Sequence, residues 1–233
     1  MDIVSCIKNI QNTNNMKTTM KEKIKIDIVS DVVCPWCTIG YKRLEKAISE
    51  LGIEEQVEIE WQPFELNPNM PAEGQNVTEH LNEKYGSTIE QQTASKENMT
   101  AVGKELDFTF DYFEEMRMVN TFEAHVLLEY ARAFGKQTEL KMRFTTAFFS
   151  ERKDVSKRAV LKDALVEVGL DGEEGIATLD TEKARNEIRG KQNYWKELGI
   201  SSVPTIVFNR KSAVTGAQPV DVLKQIITEL LAD

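Results

Sequence analysis

Residues 24–61 run strand, helix, strand, and that order constrains the fold of this chain more than anything else in it. Ile24, Ile26 and Ile28 alternate with Lys25 and Asp27, the period-two pattern of a strand. Ile39, Leu44, Ala47, Ile48 and Leu51 recur at helical spacing, and Gly52 follows where a left-handed cap belongs. Val57, Ile59 and Trp61 then alternate with Glu58 and Glu60. Strand, helix and strand in that order imply a parallel βαβ unit, and α/β sheets place their active sites beyond the carboxyl ends of such strands. At the first of those ends the chain reads Cys34-Pro35-Trp36-Cys37.

Two thiols two residues apart at a strand-to-helix junction point to redox chemistry. A helix starting within the motif puts Cys34 at its N-terminus, where unpaired N–H groups and the helix dipole favour a thiolate. Cys37 is one turn on, on the same face, placed to attack a mixed disulfide formed at Cys34. Pro35 suits an early helical position because it has no N–H to lose. Trp36 adds an apolar surface beside the sulfur for substrate or cover. Half a zinc site is the first alternative, but only Cys6, His80 and His125 remain as soft ligands, none in paired spacing. An inert structural disulfide is the second, but so short a loop constrains the unfolded chain little.

At 233 residues the chain can bury a substantial core without staples. Its net charge of −9 and scattered basic residues argue against nucleic acid or anionic lipid as partner. No apolar run approaches the ~20 residues of a membrane span. Residues 1–23 are rich in Asn, Lys and Thr, and their short, broken apolar stretch is no signal-peptide core. We expect a disordered tail over 1–23, no role for Cys6, and a cytoplasmic protein.

After Trp61 the pattern changes. Pro63, Pro68 and Pro71 interrupt regular structure, and from Val77 to about Asp180 the sequence is helix-like with no convincing strand. Helices are predicted over Thr78–Tyr85, Ile89–Glu105, Glu139–Ser150 and Lys157–Val168. Another begins at Asn120, with Asn120 as cap, Glu123 as capping-box partner and an apolar stripe from Phe122 to Phe134. A helix over Thr181–Leu198, a buried strand over Thr205–Phe208, a partner strand over Ala213–Thr215 and a C-terminal helix with Val222, Leu223, Ile226, Ile227, Leu230 and Leu231 on one face restore the α/β pattern. The domains expected are a discontinuous α/β domain, 24–66 with 181–233, and an all-α insertion over 67–180. Val203-Pro204 stands at the entrance to the buried strand, where a cis bond would expose the Val203 backbone to an extended peptide beside Cys34. His125 lies near the edge of the apolar stripe. A hydrogen-bonded core histidine is the plain reading, and a place in the interdomain cleft, shifting the charge near Cys34, is the functional one. His80 reads as surface.

Ser30-Asp31, Cys34-Pro35-Trp36-Cys37, Ile39-Gly40, Asn120-Thr121, Ala124-His125, Phe148-Phe149, Val203-Pro204-Thr205 and Gly216-Ala217-Gln218 together resemble the FrnE-type branch of the DsbA-like thioredoxin-fold oxidoreductases, from about Ile24 to the C-terminus. The resemblance implies a thioredoxin fold interrupted by a helical domain, with Cys34 as nucleophile, Cys37 as resolving thiol and Pro204 as a cis-proline facing them. Pro35, Trp36 and Val203 join Pro204 as candidate substrate-binding residues, and His125 as a pocket residue. The expected activity is thiol–disulfide exchange with protein or small-molecule disulfides and thiols. No metal or organic cofactor is expected; glutathione is a candidate thiol partner, and the protein a monomer or homodimer. The alternative is a glutathione-dependent, kappa-class-like isomerase or transferase acting on a small aromatic substrate, although such enzymes generally lack the dithiol. A thiol-based metal sensor ranks last.

Overall fold

The computed structural model describes residues 23–232. The disordered tail expected over 1–23, and Cys6 with it, lies outside the described residues but for Lys23. In chain order the elements are β1 (Ile24–Ser30), α1 (Pro35–Leu51), β2 (Val57–Pro63), β3 (Gln75–Asn76), α2 (Val77–Tyr85), α3 (Ile89–Glu105), β4 (Arg117–Met118), α4 (Phe122–Arg132), α5 (Gln137–Phe149), α6 (Arg158–Glu167), α7 (Gly172–Thr178), α8 (Glu182–Glu197), β5 (Thr205–Phe208), β6 (Ser212–Thr215) and α9 (Val220–Ala232).

A four-stranded sheet in the order β2-β1-β5-β6 forms the frame. β1 pairs parallel to β2, Ile26 opposite Ile59, and antiparallel to β5, Ile28 opposite Ile206. The alternation along β1 sorts its side chains. Ile24, Ile26 and Ile28 join Ile206 and Phe208 against Leu44 and Ile48 of α1 and Leu223 and Ile227 of α9. Each such side chain contributes up to about 1.5–3 kcal/mol on leaving water. On the opposite face Val29 and Val207 pack on Trp195 of α8, so the polar member of the alternation, Asp27, is fully buried. It survives there because it is satisfied: Gln62 donates to it at 2.6 Å and Arg210 lies 3.3 Å away, while Gln62 accepts from the Trp195 indole at 3.1 Å. The three-residue β5–β6 connection puts Asn209 and Arg210 at φ 51° and 55°, and the Lys211 N–H closes it on the Phe208 carbonyl at 2.9 Å. Asn209 is tied down by accepting the Lys25 N–H at 2.8 Å.

The helical segment between β2 and α8 has a core around Leu127, Leu140, Phe144, Leu161 and Leu165. That core also takes in Val32, Val33 and Ile39 from either side of the cysteine motif, and Ile188 of α8. Helix α3 contributes little to it; of its 17 residues only Gln92, Met99 and Gly103 are buried.

Several local expectations give way to packing. α4 starts at Phe122, not Asn120, and the Asn120 side chain accepts the Phe122 N–H at 3.0 Å. Glu123 does not reach back to close a capping box; it pairs with Arg158, which also bridges to Asp180. The helix ends before Phe134, which is 52% exposed, and Val222 also faces outward. Within the segment expected to be strand-free, β4 pairs antiparallel with β3 just upstream of it, Gln75 opposite Met118. The short helix α7 has no counterpart in the sequence reading; Asp171 caps it with bonds to the Glu173 and Glu174 N–H groups.

Candidate active site

Cys34 is the N-cap of α1, with Pro35 as first helical residue. The N–H groups of Cys37 and Thr38 turn back to the Cys34 carbonyl at 3.1 and 3.4 Å, which sets both sulfurs on one turn. Both are free thiols and buried, Cys34 at 5% and Cys37 at 1% exposure. Cys34 borders a cavity of about 330 Å3; Cys37 does not. Val33, Pro35, Trp36 and Val203 continue the Cys34 side of the cavity, and Met99, Tyr112, Met116, Met118, Phe148 and Phe149 face them from the helical segment. Asn67, His80, Ser95 and Lys96 are among its polar walls.

The Val203–Pro204 peptide bond is cis. Its loop lies against α1 at Gly40, where an added Cβ would stand 3.2 Å from Pro204 Cγ and 3.5 Å from the Ala217 backbone. A residue without a side chain is what lets the helix and the two loops approach. Arg43 fixes the second loop by donating to the Ala217 carbonyl at 2.7 Å. Residues almost two hundred positions apart are thereby gathered around the motif.

His125 does not line the cavity. Its ring is buried behind the motif, where Nε2 faces two acceptors, Phe64 O at 3.1 Å and Asp31 Oδ1 at 3.3 Å, so Nε2 carries the hydrogen. Asp31 Oδ1 also accepts the Val32 N–H and Oδ2 the Leu66 N–H, both at 2.7 Å. Burial opposes the charge on Asp31, but the His125 hydrogen bond and charge, the Leu66 N–H and nearby Lys141 outweigh it and hold the carboxyl below its ordinary range. His80, expected at the surface, is buried against the cavity with Nδ1 2.7 Å from Gln75 Oε1. Burial, then the Lys84 charge, keeps it below the usual histidine range.

The two thiols share a hydrogen bond and titrate as a pair. That bond, then burial and the Cys37 charge, pushes Cys34 well up. Cys37 moves down: burial opposes its thiolate, but the Cys34 hydrogen bond, the Lys141 charge and the Ser30 hydroxyl favour it. The pair shares one charge and one proton across that bond: Lys141 and the Ser30 hydroxyl favour the charge, and the helix N-terminus lies at Cys34. A shift of that proton across the shared bond yields a Cys34 thiolate without outside help.

Lys141 of α5 was missed by sequence reasoning because it sits at a helical position with nothing local to mark it. It is 3% exposed, its Nζ has no hydrogen-bond partner, and it lies 5.1 Å from the Trp61 ring centroid. Tyr112, in the connection between α3 and β4, was missed because nothing local marks it either; burial and the Cys34 charge hold its hydroxyl above the usual range, and it donates to Met99 Sδ at 3.5 Å. Among the described residues no cluster of three or more His, Cys, Asp or Glu side chains is placed to hold a metal, and no helix is long and apolar enough to cross a membrane.

Comparison with known proteins agrees with this geometry. The uncharacterized protein YwbO of Bacillus subtilis is 28% identical over 207 residues, 88% of this chain and 96% of that protein. A probable DsbA oxidoreductase from Streptomyces coelicolor has 31% sequence identity and a TM-score of 0.84, covering 90% of this chain and 91% of that one. The cytosolic disulfide reductase DsbM from Pseudomonas aeruginosa, in a structure with GSH, shares the fold at 17% identity and a TM-score of 0.61, over 90% of this chain and 100% of its own. Residues 25–228 match the DSBA-like thioredoxin domain, and the chain belongs to that family.

Proposed function

We propose that this protein exchanges a Cys34–Cys37 dithiol with substrate disulfides through a mixed disulfide at Cys34. The observation that carries the reading is the asymmetry of the pair: Cys34 borders the cavity, while Cys37 is closed off behind it. In the reductive direction the Cys34 thiolate attacks one sulfur of a disulfide R–S–S–R′, forming Cys34–S–S–R and releasing R′–S⁻. Cys37, losing its proton to the released thiolate, then attacks Cys34 Sγ and expels R–S⁻. Two electrons pass to the substrate, and the enzyme is left as the Cys34–Cys37 disulfide. An external thiol such as glutathione restores the dithiol by the same steps reversed, consuming two thiols and leaving their disulfide. No metal or organic cofactor takes part. A cytoplasmic location fits this direction, because thiol pools there keep such a pair reduced.

The test is insulin reduction with the single-cysteine variants. Cys34→Ser is expected to abolish turnover, and Cys37→Ser to accumulate a mixed disulfide visible as a mass increase on intact protein. Wild-type activity in Cys34→Ser overturns the proposal. The apolar cavity also suits a small aromatic ligand, which favours a second reading as a glutathione-dependent isomerase or transferase. Tight glutathione binding by calorimetry, with no mixed disulfide formed, supports that reading over the first.

A further inference from the structure

A lysine buried with no hydrogen-bond partner is costly, since removing an ammonium from water is repaid only by good partners. Lys141 is such a residue, and the charges that act on it belong to the redox motif and its support. Asp31 is no dedicated counter-ion, because its two oxygens are occupied by the Val32 and Leu66 N–H groups and by His125. The Trp61 ring gives the ammonium one apolar wall. Of the charges that favour its ammonium, Cys37, Asp31 and Cys34, the two sulfurs are those whose charge changes with redox state.

We propose that Lys141 is a positioning residue for thiol–disulfide exchange: carried in on α5, its buried, unpartnered ammonium supplies the positive charge that stabilises the thiolate of the Cys34–Cys37 pair and so favours the dithiol over the disulfide. The inference rests on the oxidoreductase reading above. The charges balance in a simple way. In the reduced pair one thiol and one thiolate face the ammonium; when Cys34 and Cys37 join, two electrons and the thiol proton pass to the substrate disulfide, the sulfurs become neutral and the ammonium keeps only Asp31. The disulfide is therefore disfavoured relative to a site without Lys141. Burial pushes the Lys141 amine down to about 8, against the opposing pull of Cys37, Asp31 and Cys34. The stabilising charge is thus present at neutral pH and fades as pH rises through that value. The other titratable groups around the site are His125 of α4, held by Asp31 and Phe64 O, Tyr41 of α1, whose hydroxyl binds Glu45, and Tyr112 and His80 across the cavity from Cys34.

An opposite charge within a few ångströms lowers a thiol pKa by about 1–3 units. Removing it should shift the equilibrium with glutathione at least about tenfold toward the disulfide, which is ~30 mV for this two-electron couple. The experiment is a redox titration of wild type and Lys141→Met against glutathione and its disulfide from pH 6 to 10, with thiolate absorbance at 240 nm recorded alongside. Methionine fills similar space with no charge, so the variant is expected to fold with unchanged or raised Tm. The expected result is a tenfold or larger shift at pH 7, a later onset of thiolate absorbance, and convergence of the two proteins at pH 10. Equal equilibrium constants at pH 7, or a difference that persists unchanged to pH 10, overturns the role of Lys141. Failure of wild type itself to exchange with glutathione or a dithiol strikes instead at the oxidoreductase reading.

Discussion

Asp31→Asn keeps the shape of a buried side chain while removing one acceptor and one charge, and the structure fixes what that does. Oδ1 accepts from Val32 N–H at 2.7 Å and faces His125 Nε2 at 3.3 Å; Oδ2 accepts from Leu66 N–H at 2.7 Å. An amide has a single oxygen, so in either orientation its NH2 group confronts a backbone N–H. Leaving that donor unpaired costs about 1–3 kcal/mol, and bonds to a charged acceptor are worth roughly 1 kcal/mol more than those to a neutral one. The sum is about 3 kcal/mol at pH 7. For a chain of this size 1 kcal/mol corresponds to about 2–4 °C, so Tm should fall by roughly 6–12 °C in a thermal scan followed by circular dichroism. The pH dependence is also fixed. The folded carboxyl has its pKa lowered, so its contribution is present above the unfolded value of about 3.9 and lost as pH falls through the folded pKa. A protonated carboxyl is one acceptor short in the same way as the amide, so the two proteins should converge in stability toward pH 2. A variant within 1 kcal/mol of wild type at pH 7, or a deficit undiminished in acid, refutes the reasoning.

Gln62→Leu should destabilise by about 2–4 kcal/mol in urea titration, because it strands the Trp195 indole N–H and removes the 2.6 Å bond to buried Asp27. A midpoint equal to wild type would mean that water or Arg210 replaces Gln62. Gly103→Ala places a Cβ 2.6 Å from Phe110 Cδ2 and 2.7 Å from Phe108 O, a clash involving backbone as well as ring. The expected loss is about 1–3 kcal/mol, read as a lower Tm, and a Tm at or above wild type counts against it.

The frame was legible because it is built locally. The isoleucines of β1, the apolar spacing of α1 and the glycine after it each carry their own signal, and α2, α3, α5 and α6 fall within two residues of their predicted ends. What was not legible depends on partners distant in sequence. His80 is buried because α2 faces the cavity, and the capping box at Asn120 stays open because Glu123 is drawn to Arg158. α7 escaped because its small residues gave no apolar period; Gly172 and Gly175 are where Lys162 and Leu165 crowd in. In the candidate site the cysteine pair, Val203-Pro204, Ser30-Asp31 and His125 stood out in the sequence, whereas Lys141, which acts on the pair's electrostatics, did not. Lys141 comes within electrostatic reach of Asp31 and the sulfurs only through α5 packing on the sheet.

The cavity has two unequal walls. On the motif side stand a sheet and α1, held by a continuous apolar core; part of the far side belongs to α3, a helix of 17 residues with two buried side chains, Gln92 and Met99. Local opening free energy follows the number of buried contacts broken. Of the two walls, then, α3 opens at the smaller expense, and bulky substrates would enter by displacing it while the sulfurs keep their alignment. Residues such as Ser95 and Lys96, which border the cavity from that helix, are also those at which sequence change perturbs the rest of the molecule least. Selectivity can therefore diverge on α3 while the exchange chemistry stays fixed on α1.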